Sequence, residues 1–419
     1  MESLVIRPAG PLHGSVTIQG AKNSALKLMA ATLLAEGRFT LRNVPRITDV
    51  DIMSEVLASM GVGVERRPGG ELEIDRTGDC TPEAPYELVE RIRASIVVLG
   101  PLLAKFGRAR VAMPGGDNFG ARPIDFHLRG LEELGARFDL DHGIIDARAD
   151  GLIGARIVLD FPSVTATENI LMAAVLAKGT TVIDNAAREP ETVDLAAFLN
   201  RMGAIVEGAG TSTITVEGVE TLGSADHEVI PDRIEAATYL AAVGIAGGEV
   251  TLRGARAEHM DMLLHKLGAM GVRVADTSDG LWVTRAGDRL ESVDVATLPY
   301  PGVATDYKPL LVTLLAVAQG VGVVTENLFA GGRYAYVAEL IRMGADITLA
   351  EHHAIVRGVD RLSGAPVKAP DIRAGAALVV AGLVAEGETV VHGVDHLDRG
   401  YEDMAAKFIG LGADVSRGT

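Results

Sequence analysis

The sequence predicts an α/β protein made of six copies of one unit, shared three and three between two domains. Chain length and two recurring phrases carry that prediction. At 419 residues the chain exceeds what one ordinary core holds, and a hydrophobic content of 48% suffices for two. The first phrase recurs as Met60-Gly61-Val62, Leu134-Gly135-Ala136, Met202-Gly203-Ala204, Met270-Gly271-Val272, Met343-Gly344-Ala345 and Leu411-Gly412-Ala413. Its glycines lie 74, 68, 68, 73 and 68 residues apart, a period that marks internal repetition.

Each copy of that phrase closes an amphipathic run, such as Val193–Met202 or Val337–Met343, and opens an alternating stretch such as Ala204–Glu207. A helix stopped by glycine and followed by a strand accounts for both halves. The second phrase sits 23 to 28 residues upstream each time. It reads EGRFTLRNV from Glu36, FGRARVAMP from Phe106, KGTTVIDNA from Lys178, GGEVTLRGA from Gly247, QGVGVVTEN from Gln319 and EGETVVHGV from Glu386. A glycine turn and a strand fit it, with an Ala/Leu-rich helix before the turn, as in Ala25–Ala35 and Ala374–Ala385. Those helices are apolar nearly all round, which predicts burial. The unit is therefore helix, strand, loop, helix, strand, with further short strands. Domains of roughly 100–200 residues take three such units each.

The loop between the second-phrase strand and the next helix holds an arginine in every copy: Arg46, Arg122, Arg188, Arg256, Arg333 and Arg399. Equivalent loops of repeated units emerge at one end. Six arginines there would focus a positive field into an interdomain cleft. One such loop, Met113–His127, contains Gly115, Gly116, Gly120, Pro114 and Pro123, which exclude a regular helix or central strand. It also carries an acid, Asp117, and a cation, Arg122. A glycine-rich loop with a proton donor and an anion clamp suits a lid over a small anionic substrate. A surface turn with incidental charges is the plainer account.

Composition removes several function classes. A net charge of −17 argues against a general nucleic-acid or anionic-membrane binder, so anions must be captured by local Arg and Lys. The lone cysteine, Cys80, allows no internal disulfide and no cysteine zinc site. Aromatic residues are only 4%, with the single Trp282, so Ala, Leu, Val and Ile must build the core. No apolar run approaches a membrane span and no leader pattern opens the chain, which predicts a soluble cytoplasmic protein. No metal-ligand constellation is visible.

The longer motifs are Gly20-Ala21-Lys22-Asn23-Ser24, Arg93-Ala94-Ser95, Pro114–His127, Pro162–Asn169, Arg188-Glu189-Pro190-Glu191, Pro231-Asp232-Arg233-Ile234-Glu235, Ala304-Thr305-Asp306, Asp371-Ile372-Arg373-Ala374 and Asp398-Arg399-Gly400-Tyr401. Through these, over essentially its whole length, the chain resembles the enolpyruvyl transferase family. The resemblance implies a two-domain inside-out α/β barrel of six βαβαββ-like repeats, with helices inside and sheets outside. One domain would span 22–229 and include the loop 113–127. The other would combine 1–21 with 230–419, and the active site would lie in the cleft between them. The implied reaction moves the enolpyruvyl group of phosphoenolpyruvate to the 3-hydroxyl of UDP-N-acetylglucosamine, by addition and then elimination of phosphate, the entry to peptidoglycan synthesis.

Roles follow from the same resemblance. Lys22, Arg93, Arg122 and Arg399 would hold the carboxylate and phosphate of phosphoenolpyruvate, with Lys22 also stabilising charge in the addition step. Asn23 would contact the intermediate and the sugar. Asp306 would be the general base and Asp371 its companion, with Asp117 delivering a proton. Ser163 and Val164 would meet the diphosphate, and Arg122, Pro123 and Asp125 the uridine side. Phe329, Arg333 and Arg373 complete the expected substrate contacts. Plainer accounts exist: Lys22 as a solvated lysine, Arg93 on an exposed face of a helix over Leu88–Ile96, Asp306 and Asp371 as helix N-caps. Arg188, Glu189 and Glu191 fit an interdomain or structural charge network better than substrate contact.

Three positions depart from the family pattern. Asp117 stands where most members have cysteine. Thr165 stands where glycine is usual after Ser163-Val164, and a β-branched residue there could crowd the ligand. The loop Phe329–Tyr334 lacks the usual acidic residue and is one residue longer. The last two leave a second acceptor open: another uridine nucleotide or nucleoside, such as UMP. Lys22-Asn23 replaces the lysine-serine signature of the shikimate-pathway branch, and the set of Lys22, Arg93, Arg122, Asp306, Asp371 and Arg399 argues against a catalytically silent relative.

Overall fold

The computed structural model describes residues 2–115, 124–285, 289–329 and 333–418. These fall into two compact units, one of residues 20–115 and 124–230, the other of 2–19 and 231–418 less the two short gaps. Asp117, Arg122 and Pro123 lie outside the described residues.

Among the described residues are six four-stranded sheets, three in each unit, all of one design. In the third repeat, strand Arg156–Val158 pairs parallel with Thr180–Asp184, which pairs antiparallel with Thr213–Glu217, which pairs antiparallel with Ile205–Glu207. The parallel step needs a crossover, and helix Val164–Ala174 provides it. Helix Pro190–Arg201 then carries the chain to Ile205–Glu207 on the far side of Thr213–Glu217, and those last two strands form the tight return. The order is βαβαββ, and the other five sheets repeat it.

Two repeats are completed by distant chain. Strand Asp226–Glu228 supplies the first strand of the first repeat, pairing parallel with Thr40–Arg42. The N-terminal strands Ser3–Arg7 and Leu12–Thr17 supply the last strand of the sixth repeat and the first of the fourth.

The crossover helices form the inside of each unit. Lys22–Ala31, Val164–Ala174, Arg233–Ala246, Lys308–Val317 and Ile372–Gly382 are buried along nearly their whole length. In one unit the helices from Arg233, Lys308 and Ile372 all pack on one another. In the other, Leu99–Phe106 packs on Val164–Ala174. A Cβ at Gly100 there would meet the Asn169 carbonyl oxygen at 2.2 Å, so glycine sets that approach. Strands alternate, as in Arg38–Arg42, where Phe39 and Leu41 point into the core.

All six first-phrase glycines hold φ between 90° and 104°. Around Gly203, the Gly203 N–H donates to Asn200 O at 3.1 Å and the Ala204 N–H to Leu199 O at 3.0 Å. This paired closure recurs around Gly61, Gly135, Gly271, Gly344 and Gly412. It satisfies the last carbonyls and turns the chain straight into the next strand.

Two local expectations change. The stretch Leu88–Ile96 is not one helix: Tyr86–Val89 ends, and a 3-10 turn over Arg93–Val98 leads into Leu99–Phe106. A β-conformed Ile92 separates the two and leaves Arg93 at a helical start. Asp306 is not an N-cap; it lies within the 3-10 turn Thr305–Tyr307, whereas Asp371 and Asp232 do cap their helices.

The packed interiors also hold charge. Lys27 Nζ lies 3.4 Å from Glu168 Oε2, both side chains almost fully buried. Burial pushes the Glu168 carboxyl up to about 7; Lys27 opposes this, and Glu191 and Glu189 add to it.

Two outcomes follow for stability. Gly203→Ala places a Cβ in open space at φ +104, so only backbone strain is added, and we expect a loss of about 1–2 kcal/mol. Gly61→Ala would also drive a Cβ to 2.5 Å from the Asp79 carbonyl oxygen, and should lower the melting temperature further. Equal melting temperatures for the two variants would contradict this. Secondly, a carboxyl raised from 4.5 to about 7 means the native state binds its proton more tightly than the unfolded chain. That contribution to stability is present below the unfolded value and is lost as pH rises through the folded one. Urea denaturation between those two pH values should therefore show a falling component that Glu168→Gln removes; an unchanged slope would count against the shift.

Candidate active site

The candidate residues gather where the crossover helices begin and where the second strand of a repeat runs into its second helix. In the unit of residues 231–418, Asp306 is central. Its Oδ1 lies 3.3 Å from Arg373 Nε and 3.6 Å from Arg333 Nη2. Arg333 Nη2 also lies 4.0 Å from Asp371 Oδ1. Both guanidiniums are nearly buried, while the Asp306 side chain keeps 29% exposure. Two carboxylates and two arginines thus form one group, and its most accessible member is the expected base.

Each side chain is there for a local reason. Asp371 accepts from the Arg373 N–H at 2.8 Å and the Ala374 N–H at 2.9 Å, which caps the helix and fixes the carboxylate. Arg373 follows in the first turn, its guanidinium 5.7 Å from the Tyr401 ring centroid. Burial works against its charge, but Tyr401, Asp306 and Asp232 outweigh that and hold its pKa above the ordinary value. Arg333 has φ +47, a conformation uncommon outside glycine, and its guanidinium stands 5.6 Å from the Phe329 ring centroid. Arg399 is half-buried at the C-cap of Val394–Asp398.

In the unit of residues 20–230, Lys22 opens its helix and pairs with Asp49 at 2.9 Å, both buried. A merely solvated lysine is thereby excluded. Asn23, next along, accepts from Lys27 Nζ through its carbonyl at 2.6 Å. Ser163 is the residue before helix Val164–Ala174, and its carbonyl accepts from the Thr167 N–H at 2.9 Å. Asp125 opens helix Asp125–Glu133, and one oxygen takes a hydrogen bond from Arg129 at 2.7 Å.

Thr165, the unusual residue, belongs to a buried chain. Gly100 N–H donates to Asn169 Oδ1 at 2.7 Å, and Asn169 Nδ2 donates to His127 Nδ1 at 3.0 Å. His127 Nε2 is then the protonated nitrogen, and it faces Thr165 Oγ1 at 3.2 Å. Burial first, then the Arg93 guanidinium, push His127 down to about 3 against Asp125, so the imidazole is neutral.

Sequence reasoning missed Asp49, His127, Lys308 and Glu326 as parts of these surroundings. Lys308 Nζ and Glu326 Oε2 pair at 2.8 Å with no exposure. A charge inside the apolar run KPLLVTLLAV was the available signal, since a fully buried lysine requires a partner. No group of three or more His, Cys, Asp or Glu that could hold a metal occurs among the described residues.

The sequence matches the family profile of EPSP synthase (3-phosphoshikimate 1-carboxyvinyltransferase) over residues 6–408. It is 50% identical over 419 residues to a UDP-N-acetylglucosamine 1-carboxyvinyltransferase of Myxococcus xanthus, covering 100% of this chain and 99% of that one. A protein of the same name from Mycobacterium tuberculosis is 49% identical over 416 residues, with 99% of each covered. Among solved structures, the enolpyruvyl transferase NikO of Streptomyces tendae superposes with a TM-score of 0.89 at 25% identity, covering 99% of this chain and 98% of the other. An EPSP synthase of Acinetobacter baumannii gives 0.79 at 20% identity over 100% of both chains, a likeness of fold. On its repeats, its sheets and these full-length matches, the chain belongs to the enolpyruvyl transferase family.

Proposed function

We propose that this protein transfers the enolpyruvyl group of phosphoenolpyruvate to the 3-hydroxyl of UDP-N-acetylglucosamine and releases phosphate. The observation that carries the proposal is full-length identity near one half to proteins that bear the name of this activity. The grouping of Asp306, Asp371, Arg333 and Arg373 supports it, because a carboxylate beside guanidiniums suits a base at an anionic substrate. The proposal includes a cytoplasmic location; no helix among the described residues is long and apolar enough to cross a membrane.

In the proposed reaction a proton goes to the methylene carbon of phosphoenolpyruvate and the sugar oxygen bonds to its C2. Asp306 takes the hydroxyl proton, with Asp371 beside it. The product of addition is a tetrahedral phospholactate ketal. Loss of a proton from its methyl group and departure of phosphate restore the double bond on the sugar ether. Lys22, Arg93, Arg122 and Arg399 hold the two anionic ends of phosphoenolpyruvate. Asn23, Pro123, Asp125, Ser163, Val164, Phe329, Arg333 and Arg373 hold the sugar nucleotide. The residue set is drawn from both units of the chain.

Purified protein should release phosphate only when both substrates are present, and Asp306→Asn should lower kcat by about 10²–10⁴-fold. Turnover with UMP and none with the UDP-sugar would reassign the acceptor.

Asp117 generates a second outcome. A thiolate is a strong nucleophile and a carboxylate a weak one, so an epoxide phosphonate such as fosfomycin should leave the protein unmodified. Asp117→Cys should stay active and become sensitive. As a proton donor, Asp117 starts from a reference pKa of about 3.9, so substrate anions and desolvation in the complex must raise it. Asp117→Asn should consequently lose most turnover while still binding UDP-sugar. Intact-mass measurement after fosfomycin treatment decides the first point: an adduct on the unmodified protein refutes it.

A further inference from the structure

We infer that Glu326 is a positioning residue for the reaction, holding Asp306, Phe329 and Arg333 in register through their sequence neighbours. The inference rests on the proposed role of Asp306. Glu326 directly follows strand Val321–Thr325 and is buried, and among the described residues four donors converge on its carboxylate. Oε1 accepts from Thr297 Oγ1 at 2.7 Å and from the Leu328 N–H at 2.8 Å. Oε2 accepts from Thr305 Oγ1 at 2.7 Å and from Lys308 Nζ at 2.8 Å.

Two of those contacts end one residue short of the candidate site, and a third leads to a neighbour of it. Thr305 precedes Asp306, and Leu328 precedes Phe329. Lys308, in turn, has its Nζ 4.1 Å from the Tyr334 ring centroid, and Tyr334 follows Arg333. The Tyr334 hydroxyl donates to Val324 O at 2.8 Å, which anchors that ring to the strand leading into Glu326. Two separate segments, the 3-10 turn with Asp306 and the loop with Phe329 and Arg333, are thus tied to one buried group. Burial alone would raise the Glu326 carboxyl, yet Lys308 and the hydroxyls of Thr305 and Thr297 hold it below its ordinary range, so it is an acceptor at neutral pH. A buried carboxylate used only for stability would be a poor choice, since an apolar side chain of similar volume serves as well. Its four directed bonds do something an apolar group does not: they fix the direction in which the short turn presents its residues.

The test uses the full chain and the Thr305–Glu326 bond. Thr305→Val keeps the shape and removes the hydroxyl. We expect kcat to fall about 10–100-fold, KM for UDP-N-acetylglucosamine to stay within about threefold, and Thr305→Ser to restore most of the lost rate. Thr305→Ala, which asks less of the core, should show the same loss should the valine variant fold poorly. A purely structural role predicts the reverse, a lower melting temperature with kcat unchanged for the folded fraction. Asp306→Asn is the control. If it is inactive while Thr305→Val and Thr305→Ala turn over within twofold of the parent, or Ser fails to rescue, the inference falls and the proposed function stands. If Asp306→Asn turns over normally, the proposed function falls, and the inference with it.

Discussion

Complete burial of the crossover helices is the constraint on which the rest of this structure depends. A helix that is apolar all round cannot lie on a surface, so each unit must surround its helices with sheets. Three short sheets do this, each too narrow to cover a helix bundle alone. The chain termini of the repeats then have to be used economically: Ser3–Arg7 and Asp226–Glu228 complete sheets whose other strands lie more than 150 residues away. Polar groups are pushed to the helix ends. Lys22, Arg93, Val164, Arg233, Thr305 and Ile372 all open helical segments, and the candidates Lys22, Asn23, Arg93, Ser163, Val164, Asp306, Asp371 and Arg373 sit at or next to those openings. In one unit the openings meet, since Arg233 Nη1 reaches Tyr307 at 3.2 Å and Arg373 reaches Asp306 at 3.3 Å. Helix N-termini favour anions. A protein of net charge −17 can therefore present a locally positive site without a basic surface.

The repeat was legible because its signals are local. A glycine forced to φ near +90° after an amphipathic run has a short sequence signature, and six copies of it reveal a period. The strand following Gly203 and the buried helix before Gly179 could be written down from alternation and apolar periodicity alone. What failed was also local, but finer. Nothing in Leu88–Ile96 announces that Ile92 leaves helical geometry, and Asp306 looks like a cap because aspartate before an apolar helix usually is one. The pairings were beyond reach for another reason. Lys22 and Asp49 are 27 residues apart, and Ser24 and Asp194 170 apart, so only the assembled sheets decide who meets whom.

Buried charge recurs: Lys27 with Glu168 in one unit, Lys308 with Glu326 in the other. The two pairs are not equivalent. Glu168 has its pKa raised and sits deep in a helix, with Thr192 at 3.4 Å as a weak further donor. Glu326 has its pKa lowered and collects short bonds from hydroxyls and a backbone N–H. Coulomb attraction to lysine is common to both, so the difference lies in the other neighbours: Glu191 and Glu189 add to the upward push on Glu168, whereas hydroxyl donors help to hold Glu326 down. The better-supplied carboxylate is also the one tied to the neighbours of Asp306 and Phe329, where direction matters more than net stabilisation.

The same distinction accounts for Thr165. On sequence alone a β-branched residue after Ser163-Val164 threatened the room available to a diphosphate. In the structure its hydroxyl is turned to His127 Nε2, whose proton is fixed there because Nδ1 is already occupied by Asn169. With the imidazole held neutral, no charge is introduced near the helix start, and the contact ties helix Asp125–Glu133 to helix Val164–Ala174. Threonine here closes a hydrogen-bond chain that glycine would leave one member short. Its presence is explained by what lies beneath the helix start, and so it ceases to be an argument for a different acceptor.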